Sequence, residues 1–404
     1  MKTKYLVIAL LSFIINACDN NDVLIEQTDR CGESLRTFYG NVYLKTQKEV
    51  DDFDSQSYTS IMGGGLIIME DPETEDPIID LDNRFECLRV IERGVDIKQN
   101  LSLKSINNFL QNVTSLKYLF IRENPSLEKI IGFNKLINVN GLSINDTQIK
   151  NLNSCFSKVT SIERIQIKNN ENLQSLEGLS QLNETSHIRI SYNNSLENLK
   201  GFLEKIETVA TLTINNNDKI VDLKGLNSIK SINILEISSN KNLKNLSGLS
   251  ATSIRERIYV NSNEKLENID ALSLNENNIL RQIRIYKNTS LTTIKGLKSI
   301  TKTNGLSITE NHSLINLDGL DNLNQVGEYV REGIYIQKND SLENINALSN
   351  IVSVENIVIS QNPKLNNFCS IQNLISTNSF SFFEIYRNAH NPSLADFNNG
   401  RCSL

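Results

Sequence analysis

Three histidines, His187, His312 and His390, and six cysteines, Cys18, Cys31, Cys87, Cys155, Cys369 and Cys402, are the side chains of this chain most capable of chemistry. A hydrolytic triad needs a nucleophile, a histidine and a carboxylate that converge, and a zinc site needs four convergent ligands. The histidines are far apart in the chain, and no two cysteines have close ligand spacing. The densest acidic run, Glu70-Asp71-Pro72-Glu73-Thr74-Glu75-Asp76, offers carboxylates for Ca²⁺. It lacks the ordered spacing of a calcium loop, so a solvated insertion is expected there. The formal charge is −6 and no basic block stands out, which argues against a nucleic-acid partner. The expectation is a non-enzymatic chain with no cofactor and no metal, whose function is carried by its surface.

The elements that must build this surface are repeats. In Ile165-Gln-Ile167-Lys-Asn-Asn170-Glu-Asn-Leu173-Gln-Ser-Leu176-Glu-Gly178-Leu179 the pattern L/I-x-I-x-x-N-x-x-L-x-x-L-x-G-L is explicit. The same frame starts at thirteen places, from Val95, Leu119 and Leu142 through Ile165, Ile188, Leu212, Leu235, Ile258, Ile283, Leu306, Ile334 and Ile357 to Phe383. Its period is about 23 residues, the signature of a solenoid rather than of two or three globular domains. The L/I-x-I pair alternates with period two and predicts a short strand with one face buried, stacked coil on coil into one parallel sheet. Thirteen such strands predict a sheet on the order of 60 Å long. The asparagine after the strand offers a donor and acceptors to the backbone groups that the turn leaves unpaired. Asn124, Asn170, Asn193, Asn217, Asn240, Asn263, Asn288, Asn311, Asn339, Asn362 and Asn388 are therefore expected to form a buried structural ladder. Before Val95, strands are expected at Val42–Leu44 and Leu66–Ile68 with a helical turn from Gln47 to Phe53, as an N-terminal cap with one or two divergent coils. Longer gaps, above all Gly327 to Glu332, read as insertions on one edge.

The register sorts the thiols. Cys155 falls where leucine usually sits and is expected to be a buried, inert hydrophobe. Cys369 with Cys402 would staple the C-terminal cap, and Cys31 with Cys87 the N-terminal region; these four are candidate disulfides. The register also sorts the outward face. Between the two apolar strand positions stand, among others, Phe120, Ser143, Gln166, Arg189, Thr213, Glu236, Tyr259, Arg284, Ser307 and Tyr335, and two residues on Arg122, Asn145, Lys168 and Tyr286. Tyr259, Arg284, Tyr286 and Tyr335 form the candidate ligand-binding face, because Tyr and Arg are enriched at binding hot spots, although Tyr is also favoured on any sheet surface.

At the N-terminus Lys2 and Lys4 precede an apolar run from Tyr5 to Ile15 and the sequence Asn16-Ala17-Cys18. The run is too short to span a bilayer. It resembles a bacterial lipoprotein signal with its lipobox, which implies cleavage before Cys18 and lipidation of that cysteine, Asn16 being bulkier than usual at its position. Asp19-Asn20-Asn21-Asp22 then resembles the acidic export tags of surface lipoproteins. The stretch Gly40-Asn-Val-Tyr-Leu-Lys-Thr-Gln-Lys-Glu-Val-Asp-Asp-Phe53, followed by the N-x-S-L and L-x-G-L motifs, resembles the receptor L-domain-like, leucine-rich-repeat surface proteins of Bacteroidetes. That resemblance implies an α/β or mainly β leucine-rich-repeat solenoid with a binding or adhesion role. The expected organisation is a signal peptide (1–17), a lipid-anchored tether (18–39), the N-terminal cap (40–94), the solenoid (95–397) and a C-terminal cap (398–404). Outer-membrane, surface-exposed placement follows, with the membrane reached through the lipid alone and a protein or glycan as ligand. A structural envelope role without a ligand is the alternative. A polysaccharide-acting β-helix enzyme fits less well, since it needs several sheets per coil and clustered carboxylates.

Overall fold

The computed structural model describes residues 31–404 except 33–34, 154, 251, 273–278, 328–331 and 378–379. The signal run, Cys18 and most of the insertion after Gly327 lie outside the described residues. Among the described residues no helix is long and apolar enough to cross a membrane.

Leu or Ile at the two strand positions stacks on its own kind: Leu142 is in register with Leu119 and Ile165, and Ile144 with Ile121 and Ile167. Repetition of that register makes an open parallel ladder of fifteen strands, from Val42–Leu44 and Leu66–Met69 to Asn356–Ser360 and Phe382–Tyr386. Fourteen spacings at about 4.8 Å give a sheet about 67 Å long. The two strands beyond the thirteen sequence frames are Val42–Leu44 and Leu66–Met69, where the sequence placed strands of the N-terminal cap and its divergent coils. The molecule is thus a solenoid of leucine-rich coils with one long sheet and little helix, the longest helix among the described residues being Gln47–Ser55.

The strands are not as simple as the sequence frame predicts. In seven coils they run eight residues, as in Ser115–Arg122 and Asn138–Asn145. In the first of these, Leu116 and Leu119 are both buried while Lys117 and Tyr118 lie outward, so the strict alternation breaks once. The strand turns a corner there, and Leu116, Val139, Ile162, Val209 and Ile232 build a second wall of the core. In the first three coils the corner is sharp enough to cut the strand in two. The outer pieces, Thr37–Tyr39, Ser60–Met62 and Val90–Ile91, form a small sheet of their own. Ser105–Phe109 and Lys129–Gly132 pair as another small sheet. The one long parallel sheet expected from the sequence is present; among the described residues two small sheets accompany it, the first because the corner cuts the outer end off the strand in the first three coils.

The asparagines occupy the core side of the turn, fully buried except Asn388 at 9% exposure. Asn193 shows the unit. Its Oδ1 accepts from the backbone N–H of Asn170 (3.1 Å) and from the Asn170 Nδ2 (3.2 Å), while its own Nδ2 donates to the carbonyl oxygens of Ile167 (3.0 Å) and Ser191 (3.1 Å). Two corrections to the expected ladder follow. Asn100 belongs to it, bonding through backbone and side chain to Asn124 Oδ1. The next joint is broken, because Thr147 holds the position after Asn124 and passes its hydroxyl bond on to Asn170 Oδ1 (2.7 Å). The Asn124 N–H turns instead to the Asp146 carbonyl (3.2 Å). At the far end Asn391 Oδ1 takes the place of a further coil and accepts from the Asn388 N–H (2.8 Å).

The residue immediately before each ladder position is left-handed without being glycine, with φ of +54° to +57° in thirteen successive coils from Gln99 to Arg387. Such a conformation costs on the order of 1 kcal/mol. It is offset because the turn aims that residue's N–H at the next strand end, as from Asn169 to Ser191 O (2.9 Å) and Ser239 to Asn261 O (2.9 Å). The side chains of this column are free for surface duty.

Both ends are closed. Cys31 is bonded to Cys87 and Cys369 to Cys402, and Cys155 is a buried thiol outside both disulfides that donates to the Ile130 carbonyl. At the C-terminus the helix Leu394–Asn398 carries a capping box between Ser393 and Asp396 and seats Phe397 edge-on against Phe383 (6.1 Å). The hydrogen bonds from Ser393 hold the Asp396 carboxyl below its ordinary value. The Cys369–Cys402 bridge closes a separation of 33 residues, worth about 3–4 kcal/mol by loop entropy. Cys369→Ser with Cys402→Ser is expected to lower the melting temperature of the oxidised protein and to leave that of the reduced protein unchanged. Equal melting of wild type and variant before reduction would remove the cap from the account.

Candidate functional site

In the long strands the corner adds an outward position ahead of the two that alternation predicts. In coil order the added column reads Tyr118, Gly141, Arg164, His187 and Thr211, in register across the pairs Gly141↔Tyr118, Gly141↔Arg164, Arg164↔His187 and His187↔Thr211. The next column over these coils is Phe120, Ser143, Gln166, Arg189 and Thr213. Small side chains at Gly141 and Ser143, beside large ones at Phe120 and Arg189, leave a depression of about 500 Å³ on the open sheet.

One wall of the depression is rigid. Phe120 stacks on Tyr118 (centroids 4.9 Å apart) and leans over Gly141, and the Arg122 guanidinium lies 5.7 Å from its ring. Arg122 is held by a bidentate pair with Asp96 (3.0 and 2.8 Å), and that hydrogen bond keeps its guanidinium above the ordinary arginine value. Burial, then the Asp96 charge, push the Tyr118 hydroxyl up likewise. The other wall carries charge that is not cancelled. Arg189 is exposed and has no side-chain partner among the described residues, while Arg164 meets only its neighbour Glu163, at 3.6 Å and with both exposed. No carboxylate lines the depression. In its floor Asn145 is 8% exposed; its Nδ2 donates to Ser143 Oγ (2.7 Å) and its buried Oδ1 has no partner. A buried acceptor without a donor costs about 1–3 kcal/mol, and the same amide oxygen is unpartnered at Asn215 and Asn261, the residues of this column two residues before the ladder asparagine.

The residues singled out from the sequence are partly gathered. Tyr259 and Arg284 are register neighbours, and the Arg284 guanidinium lies 5.2 Å from the Tyr286 ring on its own strand. The Tyr259 hydroxyl donates to Gln282 Oε1 (2.7 Å). Tyr335 stands apart from Arg284, with Ser307 between them in register. It borders a second depression of about 200 Å³ with Arg257, Arg281, Gln282, Gly305 and Ser307. Sequence reasoning missed the first depression because it counted two outward positions per strand. The column immediately ahead of each frame-starting leucine or isoleucine, with its Gly141, Arg164 and His187, was the signal.

The remaining chemistry-bearing groups are dispersed. His187 lines the first depression, His312 Nδ1 lies 2.9 Å from the Asp340 carboxylate, and His390 faces Phe368 at 6.5 Å. In the acidic run Glu70 is buried and accepts from the Ile78 N–H (3.1 Å), Asp71 from Glu73 (3.1 Å) and Asp76 from Lys48 (2.8 Å). These carboxylates serve separate backbone groups. Among the described residues one trio, Cys31, Glu86 and Cys87, gathers metal-competent side chains, and its cysteines are joined in a disulfide.

No known protein family and no characterised protein matches the chain. Among solved structures it is similar to a leucine-rich repeat protein from Bacteroides ovatus, at 17% identity over 72% of this chain and 79% of that one, with a TM-score of 0.17. A likeness at that level carries no argument, and the solenoid rests on its own strand ladder.

Proposed function

We propose that this chain is a binding module that captures a protein or glycan on the outward face of its sheet and does no chemistry of its own. The observation that carries the reading is the depression over Gly141 and Ser143, where uncancelled arginine charge and an aromatic wall meet. We place the module outside the cytoplasm, tethered by lipid on Cys18. The two disulfides support an oxidising compartment, and the N-terminal run supports the lipid.

The test is capture of ligands by the full chain on glycan and protein arrays. Ser143→Trp fills the depression from an outward position and is expected to abolish capture there while changing the melting temperature little. Tyr259→Ala with Tyr286→Ala reports on the other patch in the same assay, and is expected to weaken capture if the ligand extends that far. Capture unaffected by either variant, or no capture by the wild type, discards the reading.

A further inference from the structure

The chain is acidic as a whole, yet its sheet face concentrates arginine. Arg164 and Arg189 flank the first depression; Arg257 and Arg281 line the second together with one carboxylate, Glu332, which leaves it with an excess of positive charge. Arg189, Arg257 and Arg281 have no ion-pair partner among the described residues, and Arg122 is already matched to Asp96. From the strand Ser161–Lys168 to Ile279–Tyr286 the ladder counts five steps, which separates the two depressions by about 24 Å. The floors between these charges offer hydroxyls and amides, Ser143, Asn145, Gln166 and Thr213 in the first and Gln282 and Ser307 in the second. The consensus leucines and isoleucines close both floors from below, so neither offers a deep apolar slot for a peptide side chain.

Resting on the binding reading above, we propose that the ligand is an acidic polysaccharide lying along the solenoid axis, its anionic groups on Arg164 and Arg189 and again on Arg257 and Arg281. A linear polymer with repeated charge and many hydroxyls matches two arginine-bearing depressions in line; a compact anion fills one. Carboxylate and sulfate are the two anionic groups that a sugar chain supplies, and guanidinium binds either through paired N–H donors. Phe120 gives the C–H face of a sugar ring an apolar wall, and Ser143 and Gln166 meet its hydroxyls from the floor.

The experiment titrates the full chain with polygalacturonate (carboxylate), heparin (sulfate), dextran (neutral) and poly-L-glutamate (an acidic peptide). Binding to polygalacturonate or heparin, weakened by salt as exposed charge pairing requires, is expected, with dextran and poly-L-glutamate bound far less. Arg164→Gln with Arg189→Gln is expected to weaken the polysaccharide about tenfold or more, and Arg257→Gln with Arg281→Gln to weaken long chains but not oligomers too short to span both depressions. Circular dichroism checks that both variants stay folded. Dextran or poly-L-glutamate binding as tightly as the acidic polysaccharides overturns the proposal, and so does binding indifferent to the arginines. If the acidic polysaccharides fail while Ser143→Trp still abolishes capture of another ligand, the polysaccharide inference falls and the binding module stands. If neither is seen, both fall.

Discussion

Asn240→Ala is expected to cost the protein about 3–5 kcal/mol of stability, more than truncating most single leucines of the same coil. The residue is fully buried, and its Oδ1 accepts from the Asn217 backbone N–H (3.0 Å) and the Asn217 Nδ2 (3.4 Å). Its Nδ2 donates to the carbonyls of Ile214 (2.9 Å) and Ser238 (3.1 Å). Alanine leaves the Asn217 N–H without an acceptor where water does not reach, takes a donor from the Ile214 and Ser238 carbonyls and adds a small cavity, while the Asn217 Nδ2 keeps its bonds to the Ile190 and Asn215 carbonyls; each buried group left unsatisfied costs about 1–3 kcal/mol. The neighbouring coil cannot tilt to compensate, since the register Leu212↔Leu235 and Ile214↔Ile237 holds both strands. A coil uncoupled in mid-solenoid splits the stack, so unfolding is expected to lose cooperativity as well as midpoint. Urea denaturation followed by circular dichroism reads both. A loss below about 1 kcal/mol would mean that the amides are decoration on a stack held by leucines alone. The Thr147 joint shows why that outcome is not expected: where the amide is missing, a backbone carbonyl, Asp146 O, has been brought to the orphaned N–H.

Gly248→Ala is the second large effect, about 3 kcal/mol or more, and it probes the opposite edge of the coil. The glycine has φ of +115°, a conformation that side-chain-bearing residues rarely adopt. A Cβ there would sit 2.0 Å from the Leu223 carbonyl oxygen and 2.5 Å from its carbon, backbone atoms of the preceding coil. Strain at such a φ costs about 1–3 kcal/mol and forced overpacking a similar amount. Gly305→Ala is the control. Its Cβ would meet nothing nearer than Gln282 Cγ at 3.8 Å, and the change is expected to lie within about 0.5 kcal/mol of neutral or to stabilise slightly. Thermal melts of the two variants should separate widely. If they coincide, the consensus glycine is a matter of composition rather than of coil spacing.

Much of this was legible from one coil. The L/I-x-I alternation fixes a strand buried on one face, the recurring asparagine fixes where the chain turns inward, and a glycine before the last leucine marks a close approach. A coil that cannot bury its own apolar edge must stack, so the period of about 23 residues determines a solenoid without reference to any relative. What the frame could not supply is what depends on the neighbouring coil. Asn100 was passed over although its coil, Val95-x-Ile97-x-x-Asn100-x-x-Leu103, spells the frame, and the Thr147 interruption is invisible until the hydrogen bonds of its two neighbours are traced. The left-handed column of non-glycine residues carries no sequence signal, since the bonds that offset it are made to the next coil. The candidate site is the clearest case. Tyr259, Arg284 and Tyr286 could be placed on the outward face by counting, because alternation is a local property of the strand. Arg164 and His187 could not, because they face outward only where the strand turns its corner, and packing of Leu116, Val139 and Ile162 into a second core wall sets that corner. The sequence by itself determined the stack, its period and which residues hold it closed; the tertiary structure alone decided how wide the face is and where it is hollow, since both follow from side-chain sizes in adjacent coils rather than along one.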